Sequence, residues 1–313
     1  MIKYYKTDDN VIRELPQMEE GVWIQMTRPT MEESREMAER FDIDLADLRA
    51  ALDDEESSRV ELENGYTLIL VDIPTREIRN ERNTYTTITL GILLCQEYII
   101  TVCAEDTPVL NYFTERRVRE FSTKKRMRFI YQILLRICTL YQSYLRVIDK
   151  KRQEIEENAT DNSQDPDLIG LHELESTLVY FATSLRANGA VLDRLTRYTR
   201  LKQYPDDREL LDDVMVENKQ AIEMTGIYRD IINGTSDLLA TIVNTRLNNV
   251  MKVLTSVTLV MAFPTVISGF FGMNVASQWM PLANTAHGFS IICIITVIIC
   301  TSTMLILNFK KML

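Results

Sequence analysis

The chain has 313 residues, a formal net charge of −10 and 46% hydrophobic residues, averages that describe an ordinary water-soluble protein without the basic surface a nucleic-acid partner requires. The averages conceal two environments, because no Asp, Glu, Lys or Arg occurs between Lys252 and Lys310. One part of the chain is built for water and the other for lipid.

Residues 1–106 alternate strand and helix signals and read as a small α/β domain. "GVWIQMT" is a strand, and "PTMEESREMAERF" is a helix capped by Thr30 with Glu33 three residues on. "SSRVELENGYTLILVDIP" holds two strands around Asn64-Gly65, a hairpin signal, and "TYTTITLGILLCQEYIITV" supplies two more. No Gly-rich phosphate loop or nucleophile elbow is present, and no acid–base pair points to an enzyme. The acidic run Leu52 to Ser58 reads as a solvated turn. The five Cys (95, 103, 138, 293 and 300) lack zinc-site spacing with either of the two His, which speaks against structural zinc and thiol chemistry.

From Pro108 the pattern is helical. One helix is predicted to about Asn158, and a second from Leu168 to about Gln203. A third starts near Arg208 and, if continuous to Phe271, is roughly 95 Å long. Gly226 and Asn233-Gly234 favour a break by propensity, but Ile227, Ile231, Leu238 and Ile242 share a face across them and predict one helix.

Val253 to Phe271 and Phe289 to Phe309 are each long enough to span a bilayer. The linker between them carries loop formers such as Asn274, Pro281 and Gly288. Arg246 and Lys252 precede the first span, Lys310 and Lys311 follow the second, and the linker has no Lys or Arg. The positive-inside rule therefore places both termini in the cytoplasm and the loop outside the cell membrane. The expected organisation is an α/β domain (1–106), a long-helix region (107–207), a stalk continuous with the first span (208–273), an outer loop (274–288) and a second span with a basic tail (289–313).

The first span closes on Gly272-Met273-Asn274 and is entered through "RLNNVMKVLTSVTLV", residues 246–260. This arrangement resembles the CorA family of magnesium and cobalt channels, tightly over residues 230–313 and more loosely before them. The resemblance implies a homo-oligomer, a pentamer, that passes Mg²⁺ and also Co²⁺ or Ni²⁺, with Gly272, Met273 and Asn274 as selectivity filter. Two spans per chain cannot enclose a water-filled path, so conduction needs several chains around an axis.

Asn248, Met251, Thr258, Ala262, Thr265 and Gly269 fall along one face of the first span. A small or polar stripe serves close helix packing or lines a pore; the resemblance favours the pore, with Leu254 counted in its lining. Mg²⁺ dehydrates reluctantly, so neutral acceptors that bind its water shell suit conduction better than carboxylates that retain it. The sequence departs from the family pattern in having Phe271 where Tyr is usual, no acid in "WMPLANTA", a shifted proline, and Ala262 where a bulkier residue is frequent.

The resemblance also aligns Asp213, beside Asp212, with a regulatory metal site between subunits, where cytosolic Mg²⁺ would hold the channel shut. Glu77 and Glu81, in the strand-connecting loop, are the candidate facing carboxylates; two solvated acids at a helix start are the alternative. A zinc transporter of the same superfamily is the second functional reading, against which Met273 counts because zinc relatives typically carry Val. A non-transporting, membrane-anchored metal sensor is the third.

Overall fold

A computed structural model of the chain describes residues 1–8, 11–53, 56–79, 82–115, 118, 121–160, 167–197, 205–276, 280–282 and 285–310. It separates into two compact units, Met1–Ser236 and Asp237–Leu313.

The first unit is built on a seven-stranded sheet ordered β2-β1-β3-β7-β6-β5-β4. Its strands are β1 (Ile2–Asp8), β2 (Val11–Leu15), β3 (Trp23–Thr27), β4 (Arg59–Leu62), β5 (Tyr66–Arg79), β6 (Arg82–Cys95) and β7 (Ile99–Cys103). Only β3 and β7 pair in parallel; the other neighbours are antiparallel. The expected hairpin at Asn64-Gly65 joins β4 to β5, and Gly65 supplies the positive φ of 97° that the turn requires.

β3 is buried on both faces, as a strand with a parallel neighbour usually is. Ile24 and Met26 point into a core shared with Leu68, Leu70, Leu93 and Val102. That core is covered by α1 (Met31–Phe41) and α2 (Leu45–Arg49), whose Met37 and Leu48 belong to it. Thr30 and Glu33 form the predicted capping box at the start of α1. Trp23 points to the other face, donating its indole N–H to Thr101 Oγ1 at 2.9 Å and meeting the Phe129 ring edge-on.

That second face carries α3 (Pro108–Glu115), α4 (Arg126–Thr160) and α5 (Leu168–Arg197). The single helix predicted from Pro108 to Asn158 is in fact two. Between them the Thr7 hydroxyl accepts from the Thr123 amide at 2.9 Å, and the Thr7 amide donates to Thr123 Oγ1 at 3.3 Å. Ser122 and Thr123 thus exchange helical bonds for bonds to β1 and to their own loop, and Phe121 sinks into an aromatic cluster with Phe113 and Phe129.

α5 lies across β4, β5 and β6. β4 stops opposite Leu70, and two residues further along β5 the Asn188 side chain takes the place of a strand. It accepts from the Asp72 amide at 2.8 Å and donates to the Asp72 carbonyl at 2.7 Å. One side chain closes that length of sheet edge.

α6 (Pro205–Phe271) is one continuous helix, as expected. The stripe that inferred its continuity is not the one that anchors it. Leu211, Val214, Asn218, Ala221, Thr225, Ile232 and Thr235 are buried, whereas Ile227, Ile231 and Leu238 are exposed. Asn218 donates to the Leu185 carbonyl at 3.1 Å, and Gln142 donates to Glu217 at 2.6 Å. Packing of this partly polar stripe against α4 and α5 overrides the weak propensity at Gly226 and Gly234.

The second unit contains the rest of α6 and α7 (Gly288–Phe309), the two helices long and apolar enough to cross a membrane. Few of their side chains are covered within the chain.

Candidate functional site

In the second unit α6 turns only one side towards α7. Ser256 is buried, and Val260, Pro264 and Ile267 are half-buried. Beside the contact lies an open cavity of about 500 Å³ lined by Pro264, Ile267, Phe289, Cys293 and Cys300 among others.

The candidate stripe lies on the opposite side. Met251, Leu254, Thr258, Ala262, Thr265 and Gly269 are all exposed, roughly 180° round the helix from the Val260–Pro264–Ile267 face at 3.6 residues per turn. Close packing of α6 on α7 therefore does not account for its small and polar residues. Asn248 and Met251 border a surface hollow of about 380 Å³ with Thr245, Asn249, Lys252 and Thr255.

The threonines of the stripe have already spent their protons. Thr258 donates to the Leu254 carbonyl at 2.8 Å, and Thr265 to the Met261 carbonyl at 2.9 Å. Each hydroxyl then offers lone pairs outward, which suits hydrogens of a cation's water shell and leaves no donor to repel them.

At the end of α6 the helix tightens rather than reversing. Gly272 N–H donates to the Ser268 carbonyl at 2.8 Å, Met273 N–H to Phe270 at 3.3 Å, and Val275 N–H to Met273 at 3.0 Å. The steps shorten from four residues to three to two. Gly272 does not take the left-handed conformation expected of a glycine helix stop. Its role is a close approach, since a Cβ there would sit 3.2 Å from the Ser268 carbonyl oxygen. Asn274 is exposed, and its amide makes no hydrogen bond among the described residues. The filter candidates thus form an uncharged turn at the negative end of a helix dipole.

The regulatory candidates are less gathered. Asp212 and Asp213 are both exposed. Both lie on the open side of α6, Asp213 in line with Ile231 and Asp212 one turn before Val216. Glu77 is not in a loop: it lies in β5, paired with Thr84 of β6, because the hairpin strands run to Arg79 and Arg82. Glu81 falls outside the described residues. No group of three or more His, Cys, Asp or Glu able to hold a metal occurs among the described residues of the single chain. In the acidic run, Glu56 pairs with Arg59.

Burial raises the thiols of Cys95 and Cys103 to about 11 and that of Cys138 to about 12. All three stay protonated at neutral pH, so they are not ready nucleophiles.

These features define a class: a two-span membrane protein whose first span extends a long helix of an α/β domain and ends in an uncharged polar turn. Known proteins narrow the class. The family model described as CorA-like Mg2+ transporter protein matches residues 19–311. Cobalt/magnesium transport protein CorA of Methanocaldococcus jannaschii is 30% identical over 286 residues, 89% of this chain and 87% of the relative. The complete structure of that CorA magnesium transporter superposes with a TM-score of 0.81 at 26% identity, covering 98% of this chain and 96% of the other. Cobalt/magnesium transport protein CorA of Thermotoga maritima is 25% identical over 189 residues, 60% of this chain and 53% of the relative. The ZntB cytoplasmic domain from Vibrio parahaemolyticus shares the fold alone, with 12% identity, a TM-score of 0.57, and coverage of 76% of this chain and 96% of that one. The chain belongs to the CorA-like Mg²⁺ transporter family.

Proposed function

We propose that this chain assembles into a homo-oligomeric channel, a pentamer, that admits hydrated Mg²⁺ to the cytoplasm, with Co²⁺ and Ni²⁺ as further substrates. The observation that carries the reading is the stripe on α6. It lies opposite the face used by α7, offers hydroxyl acceptors, and leads to the uncharged turn at Asn274. Family membership points the same way, to transport and not catalysis.

In this mechanism the stripes of several chains enclose the path. Asn274 amides ring the outer mouth and hydrogen-bond the ion's water shell, reinforced by the α6 dipole. Thr265 and Thr258 relay the hydrated ion inward, while Leu254, Met251 and Asn248 line the inner end. Neutral acceptors bind weakly enough to release the ion. Residues 1–106 and 107–207 form the cytosolic sensor, 208–273 the stalk and first span, 274–288 the outer loop, and 289–313 the second span and tail.

The exposed stripe of Val216, Ile227, Ile231 and Leu238 supplies a face for a neighbouring chain. Asp213 shares that face, and a divalent ion between such carboxylates would neutralise their repulsion and hold the subunits closed. Glu77 and Glu81 remain the facing candidates.

Purified protein in liposomes, assayed for flux of Mg²⁺, Co²⁺, Ni²⁺ and Zn²⁺, tests the proposal. Mg²⁺ flux is expected. Flux of Zn²⁺ alone would move the chain to the zinc-transporting reading, and no flux would leave a membrane-anchored sensor. Orientation is tested by Val275→Cys in a background without native Cys: an impermeant thiol reagent should label it from outside intact cells.

A further inference from the structure

Pro264 sits inside the first span. It has no N–H, so the bond that residue 264 would donate to the Val260 carbonyl cannot form. Within a bilayer no water replaces it, and an unanswered carbonyl there is costly.

The structure supplies a substitute from the other span. Cys300 Sγ lies 3.7 Å from the Val260 carbonyl oxygen, with the thiol as donor. Other polar side chains around the cavity between the spans are committed elsewhere. Ser268 donates to the Thr265 carbonyl at 3.0 Å, Thr296 to Ile292 at 2.7 Å, and Thr301 to Val297 at 2.9 Å. Each of these bonds stays within its own helix. The Cys300 thiol's hydrogen bond, by contrast, crosses from α7 to α6.

We infer that Cys300 is a positioning residue for conduction: its thiol replaces the amide missing at Pro264 and fixes the direction of α6 at that turn. This rests on the channel reading only so far as flux is measured. The interrupted bond spans residues 260 to 264, and Ala262 and Thr265 of the stripe lie within or beside that turn on the opposite face. What holds the Val260 carbonyl therefore sets how the two stripe residues present themselves. A thiol suits the position because it is a weak donor on a soft, adaptable side chain, able to hold the turn without locking it.

The test is a double-mutant cycle on the full-length protein. Cys300→Ala should lower Mg²⁺ influx in liposomes roughly two- to tenfold, the equilibrium equivalent of one neutral hydrogen bond. Pro264→Ala restores the backbone N–H, and in that background Cys300→Ala should have no further effect. Cys293→Ala, which removes a thiol from the same cavity, serves as control and should behave as the parent.

Infrared spectroscopy reads the bond without transport. In a Cys138→Ala background, which removes another hydrogen-bonded thiol, the protein should show a hydrogen-bonded S–H stretch that disappears in Cys300→Ala and persists in Cys293→Ala. It should move to the free-thiol position in Pro264→Ala, whose restored amide reclaims the carbonyl. Equal losses of flux from Cys300→Ala in both backgrounds would reduce Cys300 to packing and overturn the proposal. So would a spectrum of the Cys138→Ala protein containing only free thiols. A parent without flux but with the shifted band would sink the channel reading and leave the bond standing.

Discussion

Gly288→Ala puts a methyl where the loop before α7 has no room. The added Cβ would lie 2.0 Å from the Leu282 carbonyl oxygen and 2.8 Å from Thr285 Oγ1. Ordinary contact begins near 3.4 Å, so the backbone must retreat by about 1.4 Å or the start of α7 must move as far. The Leu282 oxygen is also the acceptor for the Thr285 amide at 3.3 Å and the Thr285 hydroxyl at 2.8 Å. These bonds hold Leu282 at a φ of 63°, a left-handed conformation that costs a non-glycine residue about 1–2 kcal/mol. Losing both costs about 1–3 kcal/mol, and the loop opens roughly 5- to 150-fold more often. Hydrogen exchange by mass spectrometry should show that acceleration at the amides of Thr285 and Gly288. Gly234→Ala is the control, since its Cβ meets nothing within 4 Å. Exchange in Gly288→Ala equal to that of the parent would refute the packing argument.

Three further predictions concern the first unit. Asn188→Ala strips both partners from the Asp72 backbone and should destabilise the folded chain by about 2–4 kcal/mol, seen as a lower denaturant midpoint; an unchanged midpoint would contradict the strand-mimic role. Burial holds the Asp72 carboxyl above its ordinary range, opposed by hydrogen bonds from Ser184 and Ser58. A raised folded-state pKa means the fold favours the proton, so the ionised group penalises folding above that pKa and the penalty fades as pH falls through it. Asp72→Asn should therefore raise the thermal midpoint at pH 7, with the gain shrinking on acidification; a gain independent of pH would contradict this. Asp213→Ala should conduct at cytosolic Mg²⁺ levels that silence the parent, by weakening the closed state's preference for the ion. Asp213→Lys should partly restore closure. Inhibition curves for both variants that superimpose on the parent's would reduce Asp213 to a helix-start acid.

Strong local signals made much of the molecule legible. The span from Lys252 to Lys310 stands out because lipid tolerates no unpaired charge, and Thr30 with Glu33 marks a helix start because both halves of the capping box are local. The uncharged Gly272-Met273-Asn274 turn was likewise visible, since its meaning depends on where the first span ends. Features made by distant residues were not. The β1–β2 hairpin escaped because Lys3, Lys6, Arg13 and Glu14 give it a polar sequence, and its pairing emerges only in the sheet. The division between α3 and α4 depends on Thr7, more than a hundred residues from Thr123. Glu77 read as loop because nothing local to Ile78 and Arg79 signals how far the β5–β6 ladder extends. The apolar face of α6 was found correctly but assigned no partner, and it is the partly polar stripe with Asn218 that the chain buries. The bond between Cys300 and Val260 was out of reach for the same reason: Pro264 announces a missing donor, but no sequence rule names the residue that replaces it.

The channel proposal stands or falls on the Asn274 amide, which is proposed to hold a hydrated divalent cation at the mouth of an oligomeric path. The most direct measurement is Mg²⁺ flux into liposomes carrying Asn274→Ala, with oligomeric state checked by size-exclusion chromatography. An intact oligomer with Mg²⁺ flux abolished is expected. An intact oligomer that carries Mg²⁺ at the parent's rate would contradict it.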